Sequence, residues 1–230
     1  MDVGAGRYEH VLLVEPRPGK DGGAPTWRPL KVHAGGLVWW GDWVHVAATR
    51  NGFATCHLDD LTPVPPERRD EFFGHSWVLP MRIAHRAVTP AGTEPLRYSF
   101  LSLDLGDPAA PMLVVGEYGR GRQTTRLTRW PMDPATRLPA LGDDDRCRCA
   151  EVVDGVRGMQ GAVRRGGRWE LSTSHGPTTP GSLWVGEPGG WRRRRWATPM
   201  GPEDLTVTGD SLWTVTEHPR RRWIVELRGA

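Results

Sequence analysis

Five polar side chains stand at a nearly constant stride along the chain: His33, His75, Glu117, Gln160 and Glu203, separated by 42, 42, 43 and 43 residues. Two imidazoles, two carboxylates and an amide converging on one point suit either of two chemistries. They can hold a divalent cation, with His33, His75 and Glu203 as mixed nitrogen and oxygen ligands and Gln160 behind them. They can also work without metal, a glutamate of raised pKa serving as base and a histidine as acid. The residue types do not choose between the two. In both, Glu203 is the expected base or ligand, His33 and His75 the expected acid or ligands, and Gln160 and Glu117 the contacts to substrate. Each residue also has a structural reading, because polar groups around a narrow axis commonly do no more than hydrogen-bond trapped water.

Such convergence requires a repeating architecture. The 230 residues include 29 glycines and 21 prolines that punctuate the chain at short intervals, and no long amphipathic helical pattern survives between them. Short alternating runs dominate instead, among them HVLLVEP, WVHVAAT, RYSFLSLDL, RWELSTS and RWIVELR, which is the pattern of an all-β chain. Asn51-Gly52 between two such runs marks a hairpin, since a type I′ turn needs positive φ at both central residues. Superposing residues 35–47 on 160–172 and 203–215 aligns Gly41 with Gly166 and Gly209, and Leu37 with Ala162 and Leu205. The stride matches the ~40–45 residues of a four-stranded propeller blade. The expectation is a single-domain, five-bladed β-propeller over residues 1–230, with blades starting near 33, 75, 117, 160 and 203. Pairing the strand in YEHVLLVEP with RRWIVELR of the last blade would close the ring and remove an exposed edge.

In that frame the head of each innermost strand faces one mouth of a central tunnel, and the end of the second strand returns to it. Arg50, Ser174-His175 and Glu217-His218 would rim the same entrance, making Arg50, His175 and His218 further substrate contacts. Glu217-His218 has a plainer reading as the opening of a turn before Pro219. Trp39, Trp40, Trp184 and Trp213 are expected between blades, where a rim indole can also stack on a ligand.

Several function classes are disfavoured. The net charge of +3 comes almost wholly from arginine, and the one dense run, Arg192 to Arg195 between Trp191 and Trp196, reads as a solvated hairpin loop, so nucleic acid is not expected as a partner. No apolar run approaches the ~18 residues of a membrane span. Cys56, Cys147 and Cys149 form neither a disulfide framework nor a four-ligand zinc pattern, and read as structural. No nucleophile elbow, P-loop, H-E-x-x-H or EF-hand loop is present. The N-terminus lacks a basic and apolar leader, which implies a cytoplasmic monomer as the sequence stands, or a secreted one if a leader has been removed.

The segments VHAGGLVWWGDWVHVA, RYSFLSLDL, LVVGEY, RLTRWPMD, GMQGAV and GPEDL with TVTEHP, in this order, resemble uncharacterised, often secreted bacterial β-propeller proteins from about residue 8 to 228. GPEDL alone is also similar to a strand start in paraoxonase-like and phytase-like propellers, where an acidic residue can bind calcium. The first resemblance implies the propeller fold without an activity. It leaves a small-molecule enzyme performing hydrolysis, elimination or isomerisation at the tunnel mouth as the leading expectation. A carbohydrate- or metabolite-binding propeller using some of its 12 tryptophans is the alternative. A scaffold that binds protein partners through a blade face is a third.

Overall fold

The computed structural model describes residues 5–19, 22–23, 26–49 and 52–228. Among these the chain is all-β and forms four sheets, none closed on itself. The first holds β1 (Val11–Arg17), β2 (Thr26–Pro29), β3 (Leu37–Trp40), β4 (Trp43–Ala47), β5 (Phe53–His57), β6 (Thr62–Pro63) and β7 (Trp77–His85). Their order is β2-β1-β7-β5-β4-β3, with β6 also on β7. The second runs through β8 (Phe100–Asp104), β9 (Met112–Gly116), β10 (Arg126–Pro131) and β11 (Glu151–Asp154). The third runs through β12 (Met159–Arg165), β13 (Arg168–Thr173), β14 (Gly181–Gly186) and β15 (Arg192–Thr198), and the last through β16 (Pro202–Thr208), β17 (Ser211–Thr216) and β18 (Ile224–Leu227).

The three superposed glycines explain why these elements fold back where they do. Trp40 pairs with Trp43, Arg165 with Arg168 and Thr208 with Ser211, so each hairpin turns in two residues. Gly41, Gly166 and Gly209 open those turns at φ of +60°, +57° and +58°, where a side chain would be strained. Gly41 has a second reason, since a Cβ there would strike the Arg137 guanidinium.

Apolar faces between successive sheets form the core. Val38, Ala47 and Phe53 meet Leu101, Leu113 and Val115 between the first and second sheets. Phe100, Val114 and Leu127 meet Met159, Trp169 and Leu171 between the second and third. Val163 and Leu183 meet Leu205 and Leu212 between the third and fourth. The first strands β8, β12 and β16 lie against one another, and β3 lies against β8.

Two expectations change. Four sheets stand where five blades were expected, because residues near 75 and 117 do not begin first strands. His75 leads into β7, on the side of the first sheet that carries β1 and β2, and Glu117 follows β9, the second strand of its sheet. Alternation marks a strand without saying whether it is inner or outer, and the segments 58–76, 86–99 and 132–150 stretch the spacing away from a fixed stride. The N-terminal strand also pairs elsewhere: β1 runs parallel to β7, Val11 opposite Trp77 through Val14 opposite Pro80, while β18 pairs with β17. Burial drives that choice. Val14 packs with Val64, Phe72 and Val78 beneath the 3₁₀ turn Pro66–Phe72.

Candidate functional site

The site begins with backbone crowding. A Cβ on Gly35 would strike the Ser99 carbonyl, one on Gly36 would meet Asp204 and Leu101, and one on Gly161 would meet the backbone of Asp204 and Leu205. Glycine permits this close approach, so where five strands would leave a polar throat, packed main chain fills the space. The polar side chains gather instead at the strand heads.

Both β12 and β16 are bulged there. The register shifts between Met159 and Gly161 in one, and between Glu203 and Thr206 in the other. A bulge adds one residue and re-aims a side chain. Here the two bulged heads bring Gln160 and Glu203 together, Gln160 Nε2 donating to Glu203 Oε1 at 2.8 Å across 43 residues of sequence. Thr214 fastens the β16 bulge, its hydroxyl 3.1 Å from the Glu203 carbonyl oxygen and 2.8 Å from that of Asp204. Asp204 sits at φ +50°, a left-handed conformation its short side chain tolerates by bonding locally. Its Oδ1 accepts from Leu205 N–H at 2.8 Å and its Oδ2 from Leu37 N–H at 3.2 Å. The second bond ties the last sheet to the first.

Among the described residues neither carboxylate has a cationic partner. Burial, reinforced by the charge of Glu217, therefore pushes Glu203 up to about 7. Burial also drives Asp204 well above the usual carboxylate range, outweighing the Leu205 and Leu37 N–H groups that favour its anion, with Glu203 adding to the rise. Glu203 is thus a carboxyl that holds and releases a proton near neutrality, the property a general acid or base needs.

The remaining expected residues disperse. His33 is exposed, two residues before the crowded Gly35, and its carbonyl accepts from the Thr49 hydroxyl. His75 lies beside His10, ring centroids 6.2 Å apart, on the outer part of the first sheet. Glu117 is fully buried in an arginine knot: it accepts from Arg97 N–H, Arg126 N–H, the Thr124 hydroxyl and the Arg126 guanidinium. Burial raises its pKa, but those bonds win and hold it below the ordinary value, so it stays an anion. His175 is on the surface, its Nε2 2.9 Å from Ser182 Oγ and 2.8 Å from Arg193 Nη2. His218 packs on Gly201, with its Nε2 buried and unpartnered among the described residues. Arg50 lies outside the described residues. Among those described, no three His, Cys, Asp or Glu side chains are grouped to hold a metal, which separates His33, His75 and Glu203 as a ligand set.

A second cluster lies outside every residue expected from the sequence. His45 Nε2 is 3.1 Å from the Arg137 carbonyl oxygen, so this nitrogen carries the proton. Its Nδ1 then accepts from the Thr55 hydroxyl at 2.8 Å, and Thr55 Oγ1 in turn accepts from His85 Nε2 at 3.0 Å. Burial lowers both imidazoles to about 4, with the Arg137 carbonyl opposing it at His45 and the neighbouring His45 adding to it at His85. The available signal was register: His45 and Thr55 are direct partners across the hairpin that contains Asn51-Gly52. The three cysteines are free, and burial raises all of their thiols, so none is poised as a nucleophile.

No protein-family profile matches the sequence, and no curated protein matches it. Among solved structures, the chain is similar to the crystal structure of the computationally designed Ika4 protein at 6% identity and a TM-score of 0.34, over 86% of this chain and 91% of that one. At that level the likeness carries no argument about fold or function. No helix among the described residues is long and apolar enough to cross a membrane.

Proposed function

We propose that the chain is a propeller-type ring of four sheets that acts on a small molecule at the heads of β12 and β16, by acid–base chemistry centred on Glu203. The observation that carries this reading is the Gln160–Glu203 contact between two bulges, around a carboxyl held near neutrality without a cation. In this reading Gln160 fixes the orientation of Oε1 and leaves Oε2 to exchange a proton with substrate. Hydrolysis, elimination and isomerisation each use such a group in an acid–base form, and among the described residues His33, His75 and Glu203 are not grouped as one ligand set. The test is a turnover screen over small esters, lactones and enolisable carbonyl compounds. Glu203→Gln is expected to abolish any activity found while keeping the wild-type melting temperature or raising it. Activity undiminished in that variant would overturn the reading.

A carbohydrate-binding role is favoured by one separate observation. Trp27, Trp39, Trp196 and Trp223 are all exposed, on or beside three different sheets. Glycan binding with more than one site per chain, insensitive to Glu203→Gln, would support it in place of catalysis.

A further inference from the structure

A cleft of about 850 Å³ opens where the segment after β7 and the loop 139–149 overhang the second sheet. It is apart from Gln160 and Glu203 and does not depend on the function proposed for them. Three of its lining side chains are large and apolar yet open to solvent: Val88 at 76%, Leu141 at 61% and Val152 at 59% exposure. Apolar side chains grouped around a concavity of this size, with a few fixed polar atoms, are the usual form of a small-molecule site.

His85 supplies the fixed polar atom. Its ring is stacked on Phe53, centroids 4.2 Å apart and planes 17° from parallel, and its Nε2–H is committed to Thr55. The chain of donors that ends at the Arg137 carbonyl therefore leaves His85 Nδ1 as a bare acceptor, with no protein donor among the described residues. Charges around the cleft largely cancel. Arg126 is bound to Glu117, Glu94 to Arg97 and Arg148 to Asp144, and the other charged side chains of the lining, Arg86, Arg146 and Asp145, leave a small positive excess.

We propose that this cleft binds a small neutral ring compound bearing one hydroxyl, a phenol or cyclic alcohol. The hydroxyl donates to His85 Nδ1, and the apolar ring lies against Trp130, Leu141 and Val152. An apolar ring alone would leave the acceptor unmet, and a carboxylate would meet it with like electron pairs. The match is therefore to a donor on an uncharged body.

The test uses 2-naphthol and its methyl ether, 2-methoxynaphthalene, titrated calorimetrically into the full chain. The naphthol is expected to bind at least about tenfold more tightly than the ether, the discrimination expected of a site built around a hydrogen bond. His85→Phe keeps the stack on Phe53 and should erase the preference. Leu141→Glu and Val152→Glu change exposed positions, so folding should survive while affinity for both probes falls about tenfold or more. Equal affinity of the two probes, a preference that persists in His85→Phe, or no binding at millimolar probe would each overturn the proposal. If His85→Phe does not fold, the two rim variants decide: binding unaffected by either places the probe elsewhere and overturns it.

Discussion

The heads of β12 and β16 and the row of side chains behind the cleft bury polar groups by the same means and arrive at opposite proton states. At the strand heads, burial raises Glu203 and Asp204, so carboxyls tend to keep their protons. Behind the cleft, burial lowers His45 and His85, so imidazoles lose theirs. Both shifts run toward the uncharged form, as low dielectric demands of groups without ionic partners. The difference lies in where the transition falls. Glu203 crosses near physiological pH and can exchange a proton; the histidines cross far below it and act as fixed donors and acceptors. Glu117 is the control case, a carboxylate buried as deeply that stays ionised because Arg126 and Arg97 face it.

That contrast can be broken at each member. The largest effect is expected at Glu117. Glu117→Ala leaves Arg126 and Arg97 without their shared anion and should cost about 3–5 kcal/mol, read as a lowered denaturant midpoint. Because the folded pKa of Glu117 is depressed, its contribution is present above the unfolded carboxylate pKa and is lost as pH falls through the folded value. The stability gap between wild type and variant should therefore shrink in acid.

Next comes Thr55→Val, which removes the hydroxyl between two imidazoles. His45 Nδ1 loses its donor and His85 Nε2 its acceptor, at a cost of about 1–3 kcal/mol by thermal unfolding. A change within experimental error would mean that the row is not a continuous relay.

Glu203→Gln should have the reverse sign of Glu117→Ala. The folded pKa of Glu203 is raised to about 7, so its favourable contribution is complete below the unfolded carboxylate value and lost as pH rises toward 7. Above that, the ionised group is a net cost, and the glutamine variant should be more stable than wild type by about 1–2 kcal/mol after allowance for partial solvent screening, with little difference at about pH 4. Asp204→Asn should do least, costing about 1 kcal/mol at neutral pH: asparagine tolerates the same left-handed backbone, but its amide nitrogen cannot accept, so one of the bonds from Leu205 N–H and Leu37 N–H is lost.

Much of the architecture was legible in sequence. The β class follows from alternation, and the turns at Gly41, Gly166 and Gly209 follow from glycine placement. The pairing of Gln160 with Glu203 follows from the one stride that holds, between the third and fourth sheets. His75 and Glu117 were misplaced because an outer strand or the end of a second strand reads the same as a first strand. What encloses a residue is set by distant segments: the 3₁₀ turn Pro66–Phe72 that covers β1, or the arginines that face Glu117. The role of His45 and His85 was hidden for a related reason. A histidine in an apolar strand reveals its chemistry only when its cross-strand neighbour and the carbonyl of a loop 92 residues away are known.

Acid–base chemistry at the heads of β12 and β16 requires a proton held at Glu203 near neutral pH. Carboxyl-¹³C NMR of glutamate-labelled protein, assigned by comparison with Glu203→Gln, follows that side chain through its titration. A midpoint near 7 that moves when Gln160 is replaced by alanine is the predicted result. A midpoint at the ordinary carboxylate value of 4.5, indifferent to Gln160, would contradict it.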